Sequence, residues 1–255
     1  MRRGFAACLA ALLGFAPPAV PAANVLPLIA ALPPGASVWL APVHTTGRIN
    51  AEQRALGMAR NGPQPRNYSL KWVWAADRGR ALYAGGNAGA PHRLNDVWEY
   101  DLASNTWHGL WDPDPDLQHA DPATLSGVFM LRDGVPMTRR GAPFDPVHTW
   151  WALAYDAQRH ELIWSIGNFA KVRWSYPGDG LPYRQYLWRY APEENRWQPL
   201  VAANPLPRTN ADMLEIIPEL GGLVHYANGW ALRGMHVLDR SVEPPVWRNL
   251  HPNHG

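Results

Sequence analysis

Apolar positions along this chain come in short bursts separated by turn residues, not in long helical periods. Residues 71–74 are apolar and aromatic, and Asp77, Arg78 and Gly79 read as a turn. Residues 81–84 are apolar again and end at Gly85 and Gly86, and residues 96–100 alternate around Trp98. A second turn over 101–106 leads into Trp107. Segments this short, rich in Val, Tyr and Trp and bounded by Gly, Asn, Asp and Ser, predict strands joined by hairpin turns. The four strands predicted over 72–107 make one antiparallel sheet. A sheet that small cannot bury both of its faces alone, so it demands copies of itself.

The pattern does recur. Residues 151–168 repeat the first half, with Asp156 in the turn and Gly167-Asn168 standing where Gly86-Asn87 stood, and residues 186–197 repeat the second half. Trp98 and Trp107 are 9 positions apart, and so are Trp188 and Trp197. A third, weaker copy runs through 213–229 and 235–247 and ends at Trp247, 50 positions after Trp197. A Pro-x-Pro-Arg element precedes two copies, at 63–66 and 205–208, and a looser version at 136–139 precedes the other.

A period near fifty, a glycine pair after the second strand, an aromatic in the third and a Trp opening the fourth resemble the kelch motif. The resemblance spans about residues 63–250 and rests on Gly85, Gly86, Trp98, Trp107, Gly167, Trp188, Trp197 and Trp247. It implies an all-β, kelch-type β-propeller, incomplete or partial, with about three to four recognisable four-stranded blades. The double glycine is intact only in the first copy; the second has Ile166-Gly167 and the third Ala227-Asn228. Glycine permits positive φ and close backbone approach, and large aromatics fill the wedge between blades. The related galactose oxidase uses copper and a Cys–Tyr crosslink. The only cysteine here is Cys8, inside the leader described next, so the mature chain is not expected to carry that chemistry.

Three regions follow in order. Residues 1–23 combine Arg2 and Arg3, an apolar run over 5–15 and small residues up to Ala22 and Ala23. That is the form of a secretory signal peptide, too short in its apolar part to span a bilayer. The expected location is secreted or periplasmic, with Sec and twin-arginine export left open. Residues 24–62 read as a linker and a partial first blade: 37–43 as an isolated strand with Trp39 as its closing aromatic, and 51–59 as weakly helical. Residues 63–255 hold the blades, with insertions at 112–146 and 170–185. Asp112, Asp114 and Asp116 in the first insertion read as a solvated loop in preference to a calcium loop. At about fifty residues per blade, what remains after a cleaved leader allows four blades at most. Truncation, ring closure by a homo-oligomer, and divergent blades hidden in 24–58 or 112–146 are the ways to reconcile this with a propeller, with truncation or partial closure preferred.

Composition narrows the function. Hydrophobic residues at 47% and charged residues at 17% predict a folded domain. A formal charge of +2 gives no reason to expect nucleic acid, nor, once the signal is removed, a membrane. The ten histidines form no metal-binding pair in sequence, and no nucleophile elbow, P-loop or dinucleotide fingerprint is present. No metal, cofactor or catalytic residue is therefore expected, and His225 and His236 read as structural. The preferred reading is an exported, non-catalytic module that binds a protein or glycan through Trp- and Tyr-bearing loops. The alternative is a carbohydrate-active enzyme of kelch-like propeller type, such as one resembling a sialic-acid epimerase, acting on an acidic sugar. The candidate ligand-binding residues are Arg139, Arg140, His148, Arg173, Trp174 and Tyr176.

Overall fold

The computed structural model describes residues 24–66, 69–85, 94–115, 117, 128–143, 149–166, 186–207, 213–228 and 233–250. The first sheet contains β1 (His44–Gly47), β2 (Val73–Ala75), β3 (Arg80–Tyr83), β4 (Val97–Asp101) and β5 (Thr106–Trp111), in the order β1-β5-β4-β3-β2. A two-stranded hairpin of β6 (Phe129–Arg132) and β7 (Val135–Thr138) follows. The second sheet is a meander of β8 (Leu153–Asp156), β9 (Glu161–Ile166), β10 (Tyr186–Ala191) and β11 (Arg196–Leu200). The third is a meander of β12 (Met213–Ile217), β13 (Gly222–Asn228), β14 (Arg233–Asp239) and β15 (Val246–Asn249). Within each repeat the strands pair antiparallel in chain order, while β1 adds to β5 in parallel. No helix among the described residues is long and apolar enough to cross a membrane.

Local chemistry explains why the strands end where they do. Asp101, Asp156 and Asp239 each accept a backbone N–H two residues on, from Ala103, Gln158 and Ser241, at 2.9–3.0 Å. Such Asx turns stop a strand and start a hairpin. The turns then pass through left-handed positions held by Gly79, Asn105, His160, Asn195 and Gly221. Tyr100 and Tyr190 reach the turn residues Asn105 and Asn195 through their hydroxyls, at 2.7 and 2.6 Å. The same Tyr-to-Asn link thus closes the last hairpin of the first two repeats.

The sheets stack face to face with their first strands side by side. Ser69 bridges to Trp150 and Trp151 to Met213, both in parallel, with Leu70 N donating to Trp150 O at 3.0 Å and Leu214 N to Trp151 O at 3.1 Å. Lys71 extends from the first sheet to the third, donating to Leu214 O at 2.7 Å and pairing with Glu215 at 2.5 Å. One core fills the seam between the first and second sheets and includes Val73, Leu82, Val97, Leu153, Trp164, Trp188 and Trp197. Another, with Ala154, Ile163, Leu187, Leu223, Leu238 and Trp247, fills the seam between the second and third. Three four-stranded antiparallel units with their leading strands together fit a propeller-like fold.

Gly85, just after β3, shows why a glycine is needed beside the point where the leading segments meet. Its φ is +116°, and a Cβ there would lie 2.7 Å from both Ser69 Oγ and Thr149 Oγ1. Trp98, Trp107, Trp188, Trp197 and Trp247 are all buried, whereas Gly86 and Gly167 lie outside the described residues.

Several expectations need correction. No strand of an earlier blade forms over 37–43, and Trp39 is 72% exposed. The strand begins at His44 instead and extends the first sheet, because β5 offers a free edge that parallel pairing satisfies. Residues after it form the short helices α2 (Ala51–Ala55) and α3 (Met58–Asn61), preceded in the chain by α1 (Leu26–Ala30). Asn50 and Gln53 form a capping box on α2. Met58 packs with Tyr83, Leu94, Trp98 and Trp107 on the outer face of the first sheet, which covers part of it. The described part of the 112–146 insertion gives one hairpin. Its Asp114 is buried, accepting from Asn95 Nδ2 at 3.1 Å and Arg140 N at 3.3 Å, so it is not solvated.

Candidate functional site

The strand register sorts the first sheet into two faces. Val73, Ala75 and Leu82 point toward the second sheet, so Trp72 and Trp74 point the other way. Trp72 packs edge-on against Trp107 with ring centroids 4.9 Å apart, and Tyr100 sits 4.9 Å from the same Trp107. Even so, Trp72 remains 53% exposed and Trp74 57% exposed, because the Met58 cluster packs on β3, β4 and β5 and includes no residue of β2. Leu70 precedes them at the same alternation and is also exposed. The result is three exposed apolar side chains at alternate positions, Leu70, Trp72 and Trp74, on and just before β2, with the Trp72 ring held by neighbouring aromatics.

On the opposite face, a polar groove of about 790 Å3 opens between the first and second sheets. Glu99 of β4 and His108 of β5 are register partners on one wall, next to Gly47 and Gly109. His160 and Glu193, from the turns of the second sheet, stand opposite, Asp77 and Arg78 come from the β2–β3 turn, and Arg80 opens β3. Arg78 pairs with Glu99 at 2.7 Å and also with Glu193, and Arg80 lies 3.4 Å from Glu99 and 3.3 Å from Asp101. Asp77 Oδ2 meets His160 Nδ1 at 2.5 Å and accepts from Tyr155 Oη at 3.0 Å. Burial raises the Asp77 carboxyl, but the bonds from His160 and Tyr155 outweigh it and hold Asp77 below its ordinary value of 3.8. Burial and then Asp77 itself push the Tyr155 hydroxyl well above its ordinary range, so Tyr155 is a neutral donor.

The seam between the second and third sheets is built differently. Arg240 pairs there with Glu161 and lies 3.4 Å from Asp156, Arg189 lies 3.6 Å from Glu161, and Pro199, Pro244 and Pro245 line the cavity. It contains no histidine among its lining residues.

Of the candidate ligand-binding residues, Arg139 and Arg140 fall just after β7. Arg139 is exposed. Arg140 stacks over Trp111 at 4.2 Å and donates to Asp112 O at 2.9 Å, so its guanidinium ties the insertion to the first sheet. His148, Arg173, Trp174 and Tyr176 lie outside the described residues, as do residues 1–23. Sequence reasoning missed Asp77, His108 and His160, which come from turns and strands far apart in the chain. One signal was available: His160 occupies a turn position that the other two repeats fill with Gly79 and Gly221. The described residues contain no group of three or more His, Cys, Asp or Glu that could hold a metal ion.

No protein-family model matches the chain, and no curated protein does. Among solved structures it is similar to TolB from Acinetobacter baumannii, with 8% identity and a TM-score of 0.25 over 80% of this chain. The match spans 44% of that protein's chain.

Proposed function

We propose that this chain is an exported, kelch-type propeller module whose task is to bind a protein partner through the open face of its leading sheet. The observation that carries the reading is the row of Leu70, Trp72 and Trp74, with both tryptophans more than half exposed on and just before β2. Trp is the residue most enriched at binding hot spots, and its large ring loses little conformational freedom on contact. A sheet face holds such rings at fixed spacing, and Trp72 is further fixed against Trp107 and Tyr100. Isolated exposed apolar residues need no explanation, but three large ones at alternate positions of one short segment do. The resemblance of the repeats to the kelch motif supports the same reading as a scaffold that presents surfaces, and the signal-like composition of residues 1–23 supports export.

The test places a photo-reactive phenylalanine derivative at position 74 in the full chain, expressed in its native cells. A protein adduct of one defined mass is expected at position 74 and not at the exposed control position Leu220. The adduct is expected to vanish when Trp72→Ala is added. Equal labelling at both positions, or none at 74, overturns the proposal.

A further inference from the structure

The groove on the other face of the first sheet is a separate feature, and the protein-binding reading makes no use of it. We infer that it is a binding site for an uncharged, polyhydroxylated ligand, a neutral saccharide, with His160 as its principal contact.

Three observations lead there. The first is His160 itself. It sits at φ +54°, where an L side chain is strained and where Gly79 and Gly221 stand in the corresponding turns of the other two repeats. Its partner Asp77 does not explain the choice through stability, because the His160 side chain is 64% exposed and an ion pair that open adds little. What the pair does is orient the ring. With Nδ1 held by Asp77, the imidazole keeps one tautomer and leaves Nε2 free at the groove.

The second observation is the charge pattern. Arg78, Arg80, Glu99 and Glu193 are already joined to one another, and Asp77 is engaged by His160 and Tyr155. A charged ligand would have to break one of these pairs. Hydroxyl groups need not: each can donate to a spare carboxylate lone pair and accept from a spare guanidinium N–H. The third is His108 on the facing wall. Its Nδ1 is matched with Thr46 Oγ1 at 2.7 Å, while its Nε2 is buried without a partner. The wall thus keeps one unmatched ring nitrogen beside the groove. The groove's volume of about 790 Å3 has room for more than one sugar ring.

The experiment is saturation-transfer NMR followed by calorimetric titration of the full chain with maltotriose, cellotriose, chitotriose and the acidic disaccharide digalacturonate, each to about 10 mM. Binding of at least one neutral trisaccharide is expected. His160→Asn keeps a residue suited to the left-handed turn, so its melting temperature is expected to match the wild type while affinity falls at least tenfold. Trp72→Ala is expected to leave saccharide affinity unchanged, which separates this site from the protein-binding face. Absence of any neutral binding, binding of digalacturonate alone, or neutral binding insensitive to His160→Asn overturns the inference.

Discussion

Asp96 is the residue whose loss tests the packing argument most directly. Its carboxylate and the Arg66 guanidinium form an ion pair in which both side chains are fully buried. Asp96 also accepts from Trp98 Nε1 and, at 3.1 Å, from Gln53 Nε2 of α2, while Arg66 lies over the Tyr83 ring at 4.9 Å. One carboxylate therefore joins the Pro-x-Pro-Arg element, the N-terminal helices and the repeat tryptophan. Asp96→Ala leaves Arg66 charged in a site where its Nε and Nη1 already lack partners. Removing one member of a buried pair costs about 3–5 kcal/mol. At about 2–4 °C per kcal/mol for a chain of this size, the melting temperature falls by roughly 6–20 °C. Arg66→Ala is expected to cost less, because Asp96 keeps its donors from Trp98 and Gln53. The double variant Arg66→Met with Asp96→Leu, which removes both charges, is expected to recover most of the loss. Urea unfolding at pH 7 followed by Trp fluorescence measures all three. A loss below about 1 kcal/mol for Asp96→Ala, with an unchanged denaturant slope, refutes the reasoning.

Two further outcomes follow from Gly85 and from the third sheet. Gly85→Ala places a methyl group against Ser69 and Thr149 at a backbone angle that L residues avoid. It is expected to destabilise by about 2–4 kcal/mol in the same unfolding assay, and relief by Thr149→Ala would identify the clash as part of the cause. His236 faces His225 across β13 and β14, and burial followed by the charge of His225 lowers its pKa below 6.5. With a folded value below the unfolded one, the unfolded chain binds the proton first. Stability from this group is therefore complete above about pH 6.5 and declines as pH falls below it. His236→Leu is expected to flatten the change in urea midpoint between pH 7.5 and pH 5.5, and an unchanged slope in that variant would sink the assignment.

The sequence by itself determined the local grammar. Alternating apolar residues, Asx turns and two Trp pairs nine positions apart fix strands and hairpins because those signals act over a few residues. They located three repeats, and the strands formed within one or two residues of their predicted places; β2, expected over 71–74, runs over Val73–Ala75. The sequence also contained the alternation that turns Trp72 and Trp74 outward, although burial was the natural reading of both. Tertiary structure decided what no local signal encodes. It sent His44–Gly47 to the edge of β5 and not to a blade of its own, because a free edge strand elsewhere in the chain was available to pair. It buried Asp114 and locked Arg140 onto Trp111, two residues that look solvated by composition alone. It also brought Asp77, His108 and His160 to one groove, across a seam formed only when two sheets pack. Repeats are legible because each is built from neighbours along the chain. The groove is not, because its chemistry comes from residues whose nearness exists only in the folded state.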